Sequence, residues 1–344
     1  MRADSDVNAF AAFLVRFLRV AGKVSRKIRG GAPHFHLECT DLKVDSHFAS
    51  NFPNVLYGET ASDLIYELLA DDKPRFICRF GAVELAVMSS AQAEFSFGNA
   101  LKLLTGDILV RDIGIHPGLV RSLCTSAGFF PPDISHVRDF VSLMDNLIPE
   151  IDALGVWCKQ EVLIAEKLSA AKKIRFRDLE PYFYDRPWSR VLKGKKVLVI
   201  HPFAETIEAQ YREKRAQIFS NPLVLPEFDL IALKAVQSIA NNPTEFSSWF
   251  EALESMKSKV LNIDFDVAII GCGAYGMPLG AFCKKIGKKA IHLGGQTQLL
   301  FGIKGKRWET GHDEIQKLFN DAWVYPAAHD RPTGYKRIEG GAYW

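Results

Sequence analysis

Two apolar periods divide the chain. Lys195 to Phe203 (KKVLVIHPF) and Val267 to Ile270 are short, nearly unbroken apolar runs, the pattern of strands buried on both faces of a parallel sheet. Between them Phe246, Trp249, Phe250, Leu253, Met256 and Val260 recur at helical spacing behind Thr244, which the pattern makes the N-cap. With Phe228 to Val236 and Ala290 to Leu293 as further strands, residues 195–293 read β-α-β-α-β-α-β, with connections long enough for parallel crossovers. Upstream, the pattern predicts a helix from Thr60 to Ala70, a strand from Arg75 to Phe80 and a helix from Gly81 to about Gln92. Residues 134–154 carry a helical stripe ahead of a short strand at Gly155–Cys158. The expected fold is a doubly wound, mostly parallel Rossmann-like α/β domain over 59–310. A 311–344 extension ends GYKRIEGGAYW, aromatic enough to pack on that domain.

Residues 1–30 differ in kind. Phe10, Phe13, Leu14, Phe17, Leu18 and Ala21 alternate with Arg16, Arg19, Lys23, Arg26 and Lys27, predicting a basic amphipathic helix over 6–29. Such a helix suits an anionic membrane surface; docking on the domain or on a second subunit is the alternative. A linker, 31–58, follows, with His34 and His36 in a surface loop.

At 344 residues, 48% hydrophobic and 24% charged, the chain has ordinary globular values. A net charge of +3 gives no reason to expect a nucleic-acid partner. Six scattered cysteines without C-x-x-C spacing predict reduced thiols. No apolar run reaches the roughly 18–20 residues of a membrane span, and Asp4, Asp6 and interleaved arginines argue against a signal peptide. The expectation is a cytoplasmic protein, peripheral at the inner face of the membrane.

The candidate chemistry collects at strand exits, where open α/β sheets bind ligands. Gly271, Gly273 and Gly276 fit G-x-G-x-x-G, a turn that faces backbone N–H groups and a helix N-terminus toward phosphate. Dinucleotide binding also calls for an acidic residue about 20 positions on, and that stretch reads Ala290, Ile291, His292, Leu293. An NAD(P)- or flavin-dependent oxidoreductase is therefore the alternative reading. Arg79, Gly81 and Glu84 form a second strand–glycine–helix junction. Gln296, Lys304, Lys306 and Arg307 follow the last strand in a glycine-rich, cationic loop suited to anions. His201 and Glu205 leave the 195–203 strand as candidates for activating an acceptor hydroxyl. Arg111, Asp112 and His116 lie in a turn-rich patch, and Tyr182, Phe183, Tyr184 and Trp188 form an aromatic cluster. No phosphate-loop, G-x-S-x-G or zinc spacing is present.

RFGAVE, from Arg79 to Glu84, resembles the R-F-G-D-G-E signature of the GT-D-fold glycosyltransferases. DVAIIGCGAYGMPLGAFCKKIGKKAIHLGG is similar to that family's closing unit of strand, small-residue turn, helix and strand. The resemblance spans roughly residues 60–300 in outline. It implies a GT-D-like fold and a nucleotide-sugar-dependent transferase building a surface polysaccharide or glycan, with a glycan or lipid-linked acceptor. It also implies a divalent metal, Mn or Mg, held with the donor diphosphate by an Asp-x-Glu pair. Ala82 stands in the aspartate's place and only Glu84 matches, so Arg79, Lys304, Lys306 and Arg307 are the expected charge carriers. A non-catalytic nucleotide-binding or scaffold protein is the remaining alternative.

Overall fold

The computed structural model describes residues 52, 54–92 and 114–344. The 6–29 helix, His34, His36, Arg111 and Asp112 lie outside the described residues. In chain order the main elements are β1 (Val55–Leu56), α1 (Gly58–Ala70), β2 (Arg75–Cys78), α2 (Ala82–Gln92), α3 (Pro117–Ala127) and α4 (Ile134–Leu147). Next come β3 (Ala153–Val156), β4 (Lys172–Arg175), β5 (Lys196–His201), α5 (Ala204–Ile218), β6 (Asp229–Lys234) and α6 (Trp249–Leu261). Then follow β7 (Val267–Ile270), α7 (Gly276–Lys285), β8 (Lys289–His292) and the short helices α8 (Thr297–Leu300) and α9 (Asp313–Gln316).

The strands form one eight-stranded sheet in the order β1-β4-β3-β2-β8-β7-β5-β6, parallel at every pairing. Strand side chains alternate between faces, and here both faces are apolar. Leu198, Ile200, Ala268, Ile270, Phe76 and Cys78 pack on one side with residues of α2, α3, α4, α6 and α7. Val197, Val199, Val267, Ile269 and Ile77 pack on the other with α1, α5 and the 299–344 region. This is the doubly wound α/β arrangement that the apolar pattern predicts. Connections diverge at its centre: β7 leads through α7 to β8 on one side, β5 through α5 to β6 on the other. Such a divergence opens a crevice at the strand exits.

Several boundaries differ from the sequence expectation: α4 ends at Leu147 and β3 runs Ala153–Val156 in place of Gly155–Cys158, and three others have a visible cause. The sheet begins inside the 31–58 linker, because Val55 and Leu56 pair with Lys173 and Ile174 of β4, a strand too short and polar to show in the pattern. Helix α1 starts at Gly58 rather than Thr60, its amide donating to Asp178 Oδ2 at 3.1 Å, a cap 120 residues away. Helix α6 starts behind Ser248, not Thr244: Ser248 Oγ accepts from Glu251 N at 3.2 Å, while the Glu251 carboxylate accepts from Ser247 N at 2.7 Å.

Candidate functional site

The exits of β2, β8, β7 and β5 surround a cavity of about 200 Å³. From β2 come Arg79, Gly81 and Glu84; from β5 His201, Pro202 and Phe203; from β7 Gly271, Cys272 and Gly273; and from β8 His292. A second cavity of about 420 Å³ adjoins it, lined by Phe176, Phe183, Gln296, Trp308 and His312 among others. Arg79, Trp157 and Arg307 line both. They form the junction.

Arg79 is fixed by aromatic packing. Its guanidinium carbon lies 4.5 Å from the Trp157 ring centre and 5.1 Å from that of Phe176, and the two rings stack 4.7 Å apart. Trp157 is held in turn by its indole N–H, which donates to Phe80 O at 3.1 Å. Arg79 Nε is buried and has no hydrogen-bond partner among the described residues. An unpaired buried guanidinium donor is costly and calls for an anion. Arg307 reaches the junction from the far side, its Nη1 donating to Tyr343 Oη at 3.1 Å and its Nη2 paired with Glu339.

Glu84 is buried in the first turn of α2. Its carboxylate folds over Gly81 so closely that a Cβ there would sit 1.9 Å from Oε2. Burial pushes its pKa up, opposed by its own backbone N–H and by the Arg79 charge. As a metal site the donor set does not fit: Ala82 contributes nothing, and among the described residues no three His, Cys, Asp or Glu side chains converge.

His201 and His292 are buried rings whose pKa values desolvation lowers to about 3, helped at His292 by Arg79. Both are neutral, with opposite tautomers. His201 Nδ1 accepts from Phe203 N at 3.0 Å, which leaves an N–H on Nε2. His292 Nδ1 donates to Ile270 O at 3.1 Å, which leaves a lone pair on Nε2. One ring is a donor and the other an acceptor.

A scan of family models and a search of curated proteins give no match. Among solved structures, the chain is similar to a selenomethionine-substituted domain of unknown function 1792. The identity is 13%, the TM-score 0.34, and the match covers 73% of this chain and 83% of that chain. The likeness is distant. It assigns no chemistry, which has to come from the side chains.

The site residues expected from sequence divide accordingly. Arg79, Gly81, Glu84, His201, Gly271, Gly273 and Arg307 meet at the first cavity, and Gln296 lines the second. Gly276 does not face it: a Cβ there would lie 2.0 Å from the His292 ring, so the third glycine serves helix–strand packing. Glu205 is exposed, pairing with Lys234 at 2.8 Å and His329 at 3.0 Å outside the cavity. Lys304 turns away onto Tyr325 and Phe319, and Lys306 is exposed, because Arg307 N donates to Ala342 O and aims only Arg307 inward. His116 caps α3, its Nδ1 accepting from Gly118 N at 2.9 Å. Trp157, Glu339, Tyr343 and Trp344 also line the first cavity. Trp157 sits one residue beyond β3, whereas the pattern places it inside a strand at Gly155–Cys158. The 339–344 wall carries no such signal, because nothing in a local pattern says which surface a tail covers.

Proposed function

We propose that this chain transfers a sugar from a nucleotide donor to a hydroxyl of a glycan or lipid-linked acceptor, without a divalent metal. The observation that carries the reading is the pair of cavities joined at Arg79, Trp157 and Arg307. A nucleotide sugar has the same plan, a nucleoside and a sugar on either side of a diphosphate. Arg79 and Arg307 take the charge that grows on the diphosphate as the glycosidic bond breaks, the part that preorganised cations play in such a step. Gly271 and Gly273 line the same cavity, but Thr297, Gly294 O and Ala127 O fill the space beside their α-carbons, so these glycines pack its wall and the diphosphate charge falls to the arginines. Glu84, with its raised pKa, is the base that takes the acceptor hydroxyl proton. His201 donates its Nε2–H to orient substrate, and because Nδ1 already accepts, the ring has no lone pair left to act as a base. The basic stretch 6–29 would bring the enzyme to an anionic membrane carrying such an acceptor. The oxidoreductase alternative has less support, since β8 ends without an acid for the ribose hydroxyls.

The test is thermal stability against a panel of nucleoside diphosphates and nucleotide sugars, in EDTA and in manganese. At least one diphosphate should raise Tm by a few degrees in EDTA at about 100 times its Kd. Arg79→Ala should weaken its binding about tenfold or more. No shift with any compound would overturn the reading.

A further inference from the structure

We infer that Tyr343 is a third donor to the diphosphate, its hydroxyl hydrogen going to a phosphate oxygen where the two cavities meet. The inference rests on the nucleotide-donor reading above and adds to it a residue that touches the leaving group. Tyr343 lines the first cavity, and its Oη lies 3.1 Å from Nη1 of Arg307, which lines both. A guanidinium offers only N–H donors, so at this contact Oη accepts. The phenol's own O–H is left to donate, and among the described residues nothing accepts it. Accepting from a cation polarises that O–H and strengthens it as a donor.

The hydroxyl is held in place from several sides. A Cβ at Gly295 would sit 2.5 Å from Tyr343 Cε1, and one at Gly305 would sit 2.8 Å from the Tyr343 carbonyl, so two positions beside the cationic loop lack side chains where this residue packs. Gln298 Nε2 donates to Tyr343 O at 3.2 Å. The turn before it is closed by Gly341 N and Ala342 N, which donate to Ile338 O at 2.8 and 3.1 Å. Arg307 N donates to Ala342 O at 2.9 Å, and the guanidinium carbon lies 4.6 Å from the Tyr343 ring centre. Guanidinium and hydroxyl are thus tied together through both backbone and side chain. A donor fixed before the ligand arrives loses little freedom on binding, and it faces the place where charge grows as the glycosidic bond breaks.

The test is calorimetry in EDTA on the full chain, with the nucleoside diphosphate that raises Tm most. Tyr343→Phe keeps the ring and removes only the hydroxyl, and should weaken Kd about tenfold. A tyrosine that only steadies Arg307 would give the same loss, so the comparison is repeated in Arg307→Met, where Arg79 still holds the anion. There Tyr343→Phe should weaken binding by a further factor of about three or more. No further loss in that background overturns the inference. Unfolding midpoints confirm that the variants fold. Unchanged affinity in Tyr343→Phe also overturns the inference and leaves the donor reading standing. Absence of diphosphate binding to wild type overturns both.

Discussion

His201 and His292 carry a stability cost that acid reveals. Each has a folded pKa of about 3 against an ordinary value near 6.5. Below about 6.5 the unfolded chain takes up protons that the folded rings refuse, so stability is full above that pH and falls as pH drops toward 3. The slope is about 1.4 kcal/mol per pH unit for each ring. His201→Asn keeps an acceptor for Phe203 N and removes the titration. Its urea midpoint should fall less than wild type between pH 7 and pH 5; an equal fall would contradict the assignment. His201 was visible in the sequence as a strand-exit residue and so was Arg79, because both positions follow from where an apolar run stops. His292 was visible only as a departure from an acidic position. Its role depends on Gly276 across the turn, which spacing alone reads as phosphate binding. Glu205, Lys304 and Lys306 misled for a related reason: sequence places a charge near an exit, and only the local backbone decides which way it turns.

At the level of elements, patterns repeated on both faces were legible and borrowed ones were not. β5 and β7 are apolar on alternate positions facing two helical layers, so their runs show as uninterrupted. β4, Lys172–Arg175, has one fully buried side chain, Ile174, and is a strand through its pairing with β3 and β1. Helix α6 shows the same limit at its start. Thr244 and Ser248 are both plausible caps by residue type, and the reciprocal bonds of Ser247, Ser248 and Glu251 choose the second. Ser248→Ala should therefore cost about 1 kcal/mol in chemical denaturation, whereas Thr244→Ala, outside the helix, should cost clearly less.

For the molecule as a whole, residues 339–344 are part of the site and not an appendage. Trp344 is buried against Phe203, Tyr335 and Tyr343, and the segment closes the cavity beside Arg307. Deleting residues 339–344 should lower stability by roughly 2–3 kcal/mol from the indole alone and abolish diphosphate binding, read as a lower Tm that nucleotide no longer raises. The sheet order carries a consequence of another kind. β8 is the last described strand in sequence, yet it lies between β2 and β7, joining β1-β4-β3-β2 to β7-β5-β6. As the chain leaves the ribosome, each half therefore waits with one apolar edge of four residues unpaired, β2 in one and β7 in the other. Such edges are where parallel sheets fold slowly and misassociate. The strand that closes the sheet also brings His292 and the Gly294 turn to Arg79, so the strand-exit floor of the cavity forms in the same event that ends that exposure, and Arg307 and the 339–344 wall then close over it.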